Sequence, residues 1–168
     1  MNSSPRTRSR PPTWIAYAAI TWWFAFALVS FYWAAGGTVG LSTLGEGIES
    51  LAVAGELWFT SLVAITGVIK LVPVVLVLSL LRPWGNRFSL TVRLTTVAGV
   101  GLLSFLYGGM QMAGKVLVLA GVFTPEELDT AGVLGTSPLW DPVWITSGIL
   151  LCAVAWSYHR EIPGEDTR

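Results

Sequence analysis

Residues 57–81 read LWFTSLVAITGVIKLVPVVLVLSLL, a largely apolar run whose only charged side chain is Lys70. A bilayer core about 30 Å thick is crossed by about 20 apolar residues in an α-helix, so this run is long enough to span it. With 53% hydrophobic and 12% charged residues, the chain has too few polar groups to cover a soluble core of its size. The run therefore predicts a helical membrane protein.

Three further apolar runs of spanning length lie before and after residues 57–81. They cover about residues 14–35, 94–122 and 142–158. The predicted fold class is all-α, an integral membrane four-helix bundle over residues 13–159 with short tails at 1–12 and 160–168. We also expect a tight turn at residues 82–87 and short interfacial helices in the outer loops, at about 48–54 and 126–134.

The basic residues give the orientation of the spans through the positive-inside rule. Outside the apolar runs, every Lys or Arg lies before the span at 14–35, in the connection between the spans at 57–81 and 94–122, or after the span at 142–158. These residues are Arg6, Arg8, Arg10, Arg82, Arg87, Arg93, Arg160 and Arg168. The other two connections, 36–56 and 123–141, have no Lys or Arg and contain seven acidic residues. We therefore expect a multi-pass protein of the cell membrane with both termini in the cytoplasm and the acidic loops outside.

Two lysines lie within the apolar runs. Lys70 falls near mid-depth, where insertion of a lysine costs about 2.5–3.5 kcal/mol, so we expect it to face the bundle and meet an acceptor. Lys115 falls near the outer surface, where its ammonium group could also snorkel to the lipid headgroups.

Helical spacing places small and polar residues on shared faces of the spans. The three stripes are Glu56, Phe59, Val63, Thr66 and Lys70; Gly101, Ser104, Gly108, Gln111 and Lys115; and Asp141, Trp144, Gly148 and Cys152. Their meeting predicts a cavity that opens toward the outer face. Its mouth is expected at Glu49, Glu56 and Asp141, its wall at Gln111 and Lys115, and its floor at Lys70.

Aromatic residues surround the predicted mouth. An aromatic belt at the membrane surface accounts for most of the nine tryptophans, but ring faces beside carboxylates also suit a cationic intermediate. The candidate catalytic residues are Asp141, Glu56 and Glu49. The candidate substrate-binding residues are Tyr32, Trp33, Trp58, Lys70, Tyr107, Gln111, Lys115, Trp140 and Trp144. The alternative for Asp141 is that it only caps the fourth helix, with Pro142 as the first helical residue.

Several classes of chemistry lack their sequence signals. The chain has one cysteine, Cys152, and one histidine, His159, so no zinc or iron–sulfur ligand pattern is present. No glycine-rich phosphate loop follows a strand. The balanced charge gives no indication of a nucleic-acid partner. We expect no metal and no cofactor.

Two motifs carry a resemblance to a known family. Phe31-Tyr32-Trp33-Ala34-Ala35-Gly36-Gly37 ends the first span, and Pro138-Leu139-Trp140-Asp141-Pro142 opens the fourth. With the four-span layout, they resemble a family of small bacterial membrane proteins known only as a domain of unknown function. The resemblance covers about residues 14–159 and implies the fold but no activity. It also leads us to expect a histidine just before the Tyr-Trp pair, where this chain has Phe31.

In size, in its several spans and in its acidic residues among aromatics, the chain is also similar to the small membrane-integral terpene cyclases of bacterial meroterpenoid and prenylated-indole pathways. This likeness implies a carboxylic acid that protonates an alkene or epoxide, and aromatic side chains that shelter the resulting carbocation.

Three functions are compatible with the sequence. The first is a metal-independent isoprenoid cyclase or isomerase, in which Asp141, Glu56 or Glu49 is the general acid and a second carboxylate, Tyr32 or Tyr107 takes up the final proton. The second is a non-enzymatic binding or accessory subunit. The third is a transporter, which with so few spans would have to form a homo-oligomer.

The predicted orientation can be tested by labelling single cysteines in a Cys152→Ser background. Cysteines at Ser42 and Ser137 should react with a membrane-impermeant thiol reagent added outside, because both positions lie in loops without basic residues. A cysteine at Ser89 should stay unlabelled until the membrane is permeabilised. Labelling at position 89 in intact cells would overturn the orientation.

Overall fold

The computed structural model describes residues 13–44, 46–124 and 139–160, and all regular structure in these ranges is helical. The α-helices are α1 (Thr13–Ala34), α2 (Glu46–Ala54), α3 (Leu57–Leu81), α4 (Leu90–Leu119) and α5 (Trp140–His159). Two 3₁₀ segments, Leu41–Leu44 and Pro83–Arg87, lie in the connections. The all-α prediction is thus confirmed over the described ranges, whereas the short helix expected at 126–134 lies outside them.

Helices α1, α3 and α4 are each long and apolar enough to cross a membrane. They are mostly apolar, and large side chains such as Leu28, Val72 and Leu103 remain exposed in the isolated chain. Exposed apolar surface of this extent marks a membrane or protein contact rather than a water-facing surface. The three helices therefore have the character of membrane spans. Helix α5, which carries Asp141 in its first turn, is not among these three.

The third apolar run forms a helix shifted toward its N-terminus, at 90–119 rather than 94–122. The C-terminal end is set by Gly121, which adopts a left-handed φ of +73°. The N–H of Gly121 donates to the carbonyl of Val118, and that of Val122 donates to the carbonyl of Leu117. This is a Schellman motif, a glycine-dependent helix stop that apolarity alone does not reveal.

Helices α4 and α5 form the most extensive interface in the described bundle, followed by α1 and α3. Glycines allow α4 and α5 to approach closely. A Cβ atom on Gly148 would lie 2.5 Å from the backbone nitrogen of Phe105 and 2.6 Å from the carbonyl oxygen of Gly101. A Cβ atom on Gly108 would lie 2.8 Å from the carbonyl oxygen of Asp141. The small-residue faces predicted on these two helices therefore meet each other.

Polar side chains link the remaining helices inside the bundle. The Trp22 indole N–H donates to the Ser147 hydroxyl at 2.8 Å and joins α1 to α5. Near the turn at residues 82–87, the buried Arg93 donates from Nη1 to the Ser79 carbonyl at 2.6 Å and joins α4 to the end of α3. Helices α3 and α4 pack less closely than α4 with α5, α1 with α3 or α1 with α5, although they are consecutive in the chain.

The close approach of α4 and α5 predicts opposite effects for two glycine substitutions. Gly148→Ala should destabilise the protein by about 1–3 kcal/mol, because the new methyl group meets backbone atoms that cannot rotate away. Gly99→Ala on α4 is the matched control, since a Cβ atom there meets nothing within 4 Å. That change should leave stability unchanged or raise it by up to about 1 kcal/mol through helix propensity. Thermal unfolding in detergent measures both, and equal stability of the two variants would contradict this packing.

Candidate functional site

A cavity of about 390 Å³ lies between α1, α3, α4 and α5. This volume is within the usual range for small-molecule sites in proteins. The lining is mostly apolar and aromatic, with a few polar groups: Phe26, Ser30, Trp33, Leu44, Ile48, Val63, Thr66, Ile69, Lys70, Tyr107, Gln111, Trp140, Asp141 and Trp144. Seven of the predicted site residues therefore line one cavity: Trp33, Lys70, Tyr107, Gln111, Trp140, Asp141 and Trp144.

The aromatic lining residues pack against one another as a continuous wall. Trp140 stacks on Phe26 with ring centroids 5.9 Å apart, and meets Trp33 edge-on at 5.5 Å. Trp144 meets Phe26 and Tyr107 edge-on, with centroids 5.1 Å apart in both cases. Offset and edge-to-face arrangements are the favoured ones for aromatic pairs, so the rings hold each other in place. The indole N–H of Trp140 also donates to the Thr43 hydroxyl at 2.9 Å.

Asp141, one of the cavity-lining residues, forms a buried ion pair with Lys115 of α4. The Lys115 ammonium lies 2.9 Å from both carboxylate oxygens of Asp141. The two side chains are only 13% and 3% exposed. Lys115 therefore meets a carboxylate inside the protein, which argues against snorkelling to the lipid headgroups. The pair bridges the C-terminal part of α4 and the first turn of α5.

The capping alternative for Asp141 is wrong. Helix α5 begins at Trp140 rather than at Pro142, and Leu139 occupies the N-cap position without a side-chain capping hydrogen bond. Asp141 lies in the first turn, where its charge also suits the positive end of the helix dipole. A long-range partner on α4 outweighs the local capping pattern.

Lys70 faces the bundle and meets an acceptor, as predicted. Its ammonium donates to the Ser30 hydroxyl at 2.7 Å and lies 3.8 Å from the centroid of the Phe26 ring. A hydroxyl and a ring face each stabilise a cation, but neither carries a charge that cancels it. Lys70 is the charged group on the α3 side of the cavity.

The cavity has a lateral opening between α3 and α4. Ile69 on α3 and Tyr107 on α4 both line it, yet they are 60% and 50% exposed. Side chains that face a cavity and the exterior at once mark its rim. Helices α3 and α4 carry the exposed apolar surface described above, so this rim is part of the same membrane or protein contact surface.

Five predicted site residues are not lining residues. Lys115, expected on the cavity wall, pairs with Asp141 instead, and the other four lie away from the cavity. Glu56 is exposed at the start of α3, and Trp58 is exposed and packs edge-on against Phe59. Glu49 on α2 is half-buried but is not a lining residue. Tyr32 is exposed, and its hydroxyl accepts the Val39 N–H at 3.3 Å in the turn after α1. Of the three candidate carboxylates, Asp141 is the one on the cavity wall.

The contribution of α1 was missed by the sequence analysis, apart from Trp33. Phe26 and Ser30, which hold the Lys70 ammonium, both come from this helix. A signal was available, because Phe26, Ser30 and Trp33 are spaced four and three residues apart and so share one helix face. Phe31, where the family resemblance suggested a histidine, packs against Gly67 of α3 and is not a lining residue.

The fold and site define a helical membrane protein with a small-molecule cavity inside its bundle. Within the described ranges, no group of three or more His, Cys, Asp or Glu side chains is placed to hold a metal ion. The sequence model of the family described as "Protein of unknown function (DUF3995)" matches residues 23–151, and the chain belongs to this family. No curated protein and no solved structure matches the chain.

The ion pair predicts that the effects of substitutions at Lys115 and Asp141 on the free energy of unfolding are coupled. Asp141→Asn should destabilise the protein by about 3–5 kcal/mol, because it removes the carboxylate that Lys115 contacts through both oxygens in a buried site. The double variant Lys115→Met/Asp141→Leu should recover most of that loss, since buried pairs are often replaced by apolar groups at little cost. Thermal unfolding of Lys115→Met and of Asp141→Leu completes the comparison, and if their separate effects simply add in the double variant, the pair is not energetically coupled.

Proposed function

We propose that this chain is a four-span protein of the cell membrane, with both termini in the cytoplasm, that isomerises or cyclises a lipophilic isoprenoid-type substrate by proton transfer. The observation that carries the proposal is the laterally open aromatic cavity with one carboxylate among its described lining residues, that of Asp141. Three helices with the character of spans, together with the loop charges, support the topology. Helix α5 is the fourth span in this account.

The shape and chemistry of the cavity favour a lipophilic substrate. Its walls are mainly rings and aliphatic side chains, and its rim lies on the apolar surface between α3 and α4. A hydrophobic molecule dissolved in the bilayer can enter such a site without crossing water. Aromatic faces at three sides of the cavity also stabilise positive charge that develops on a substrate carbon.

In this proposal Asp141 accepts a proton from the substrate rather than supplying the first one. Both of its oxygens accept hydrogen bonds from the Lys115 ammonium, which holds the carboxylate in place. Tyr107, which lines the same cavity, supplies the first proton to one substrate carbon, and Asp141 takes a proton from another carbon. Return of that proton from Asp141 to Tyr107 restores the site, so the product has the mass of the substrate. Tyr107 and Gln111 lie on the same cavity wall and can orient the substrate.

A non-enzymatic binding subunit is the second candidate. The observation that favours it is the same ion pair. A carboxylate whose two oxygens both contact Lys115 can hold α5 against α4 without taking part in a reaction. In that case the cavity binds a lipophilic molecule without changing it.

The two functions separate in an assay of the purified protein with prenylated acceptors, following isomeric products of unchanged mass by chromatography and mass spectrometry. The wild type should convert a prenylated acceptor and incorporate deuterium from heavy water. Lys115→Met/Asp141→Leu, which keeps the fold but lacks the carboxylate, should lose at least about 100-fold in turnover.

Glu56→Gln is the matched control, since that carboxylate is exposed and outside the cavity lining, and it should keep wild-type turnover. Full turnover in the double variant would place the acid–base group elsewhere. No conversion of any isoprenoid by the wild type would make the binding subunit the correct account.

A further inference from the structure

Lys70 carries a charge that the described residues do not cancel. Its ammonium contacts the Ser30 hydroxyl and the Phe26 ring, both neutral groups. Within residues 13–44, 46–124 and 139–160, the ion pair present joins Lys115 to Asp141 instead. Among the described residues, the cavity lining therefore holds the Asp141 carboxylate, paired with Lys115, on the α5 side and a cation without a charged partner on the α3 side.

At this depth, the Lys70 ammonium favours the binding of an anion. Lys70 lies 13 residues after Leu57 and 12 before Arg82, in the middle of α3. Burial of a lysine at mid-membrane depth is costly, and such residues pair with an opposite charge or mark a ligand site. A bare positive charge beside the substrate would also oppose the cationic intermediate that the aromatic wall suits.

We propose that Lys70 binds the anionic head group, a carboxylate or phosphate, of the lipophilic substrate. This inference rests on the function proposed above and names its substrate class. The head group pairs with the ammonium on the α3 side, and the hydrocarbon part lies along the aromatic wall toward Asp141. Pairing cancels the charge of Lys70, so the rest of the substrate experiences the aromatic faces and the carboxylate.

A membrane phospholipid offers the same phosphate chemistry, but the position of Lys70 favours a single-chain amphiphile. Phospholipid head groups lie at the bilayer surface, whereas the middle of a 25-residue helix is about 18 Å from either end. A phospholipid would have to sink deep into the bilayer to reach the ammonium. A single-chain amphiphile must also bring its anionic group to this depth, but it has one tail rather than two to fit in the cavity beside Lys70.

The experiment compares farnesyl phosphate with farnesol, which has the same hydrocarbon tail and no charge. Equilibrium binding is measured on the full chain in phosphatidylcholine nanodiscs, with empty nanodiscs as the partitioning background. The wild type should bind farnesyl phosphate at least about 10-fold more tightly than farnesol, a difference of about 1.4 kcal/mol.

Lys70→Met should lose this preference and keep its affinity for farnesol, while Lys70→Arg should retain it. Arg87→Gln is the matched control, because it removes an exposed positive charge outside the cavity. Lys70→Gln serves as a second neutral variant, and size-exclusion profiles and thermal unfolding establish which variants are folded. Substitution of a buried cation by an apolar group is often tolerated, so Lys70→Met should fold.

Three results would overturn the inference: equal binding of the two probes by the wild type, an undiminished preference in folded Lys70→Met and Lys70→Gln, or loss of the preference when phosphatidylglycerol replaces part of the nanodisc lipid. The last would assign the site to a phospholipid. If the preference is absent but a neutral isoprenoid is still converted, the proposed function stands and the anion site fails. If the preference depends on Lys70 but nothing is converted, the anion site stands and catalysis fails.

Discussion

The buried ion pair between Lys115 and Asp141 is the interaction on which the arrangement of the bundle depends. It joins the C-terminal part of α4 to the first turn of α5, and both side chains are buried. The glycine contacts along the same interface lock one register, because a shift by even one residue would replace a glycine with a side chain at a backbone contact. With that register set, Trp140 and Trp144 can point only toward α1 and α4.

The cavity follows from unequal packing around the bundle. Helices α4 and α5 are held together by small residues and charge, and α1 packs closely on α3. Helices α3 and α4 are clasped near their shared turn by Arg93 and Ser79, and they leave a gap farther along. One side of the bundle is therefore rigid and aromatic, whereas the other is open and apolar. Under the proposed function, molecules enter such a site from the bilayer rather than from water.

Much of the helix layout could be predicted, because apolarity over 20 residues directly reflects the cost of burying backbone and side chains in lipid. The inward placement of Lys70 followed from the same cost. The small-residue faces of α4 and α5 were also predictable, since glycine spacing limits which surfaces can approach. The end of α4 at Leu119 was not, because a single left-handed glycine decides it.

The site was predicted less completely, since periodicity orders residues around one helix but does not fix that helix's rotation against its neighbours. Glu56 and Asp141 both begin an apolar run next to a tryptophan, and nothing in their local sequence ranks one above the other. Only the rotation of α5 brings Asp141 onto Lys115, while Glu56 stays exposed. The role of Phe26 and Ser30 was hidden for a related reason: a lone serine in an apolar helix carries no sign of its partner until α3 is placed beside it.

The central claim is that a lipophilic molecule enters this cavity from the bilayer, and photo-cross-linking in membranes tests it most directly. A farnesyl probe that carries a diazirine on its tail is activated in membranes containing the full chain, and labelled residues are mapped by mass spectrometry. The account predicts cross-links at Trp33, Tyr107 and Trp144 that excess unlabelled probe abolishes, and unsaturable labelling at the exposed Leu103. Labelling confined to exposed positions such as Leu103, with none in the cavity, would contradict it.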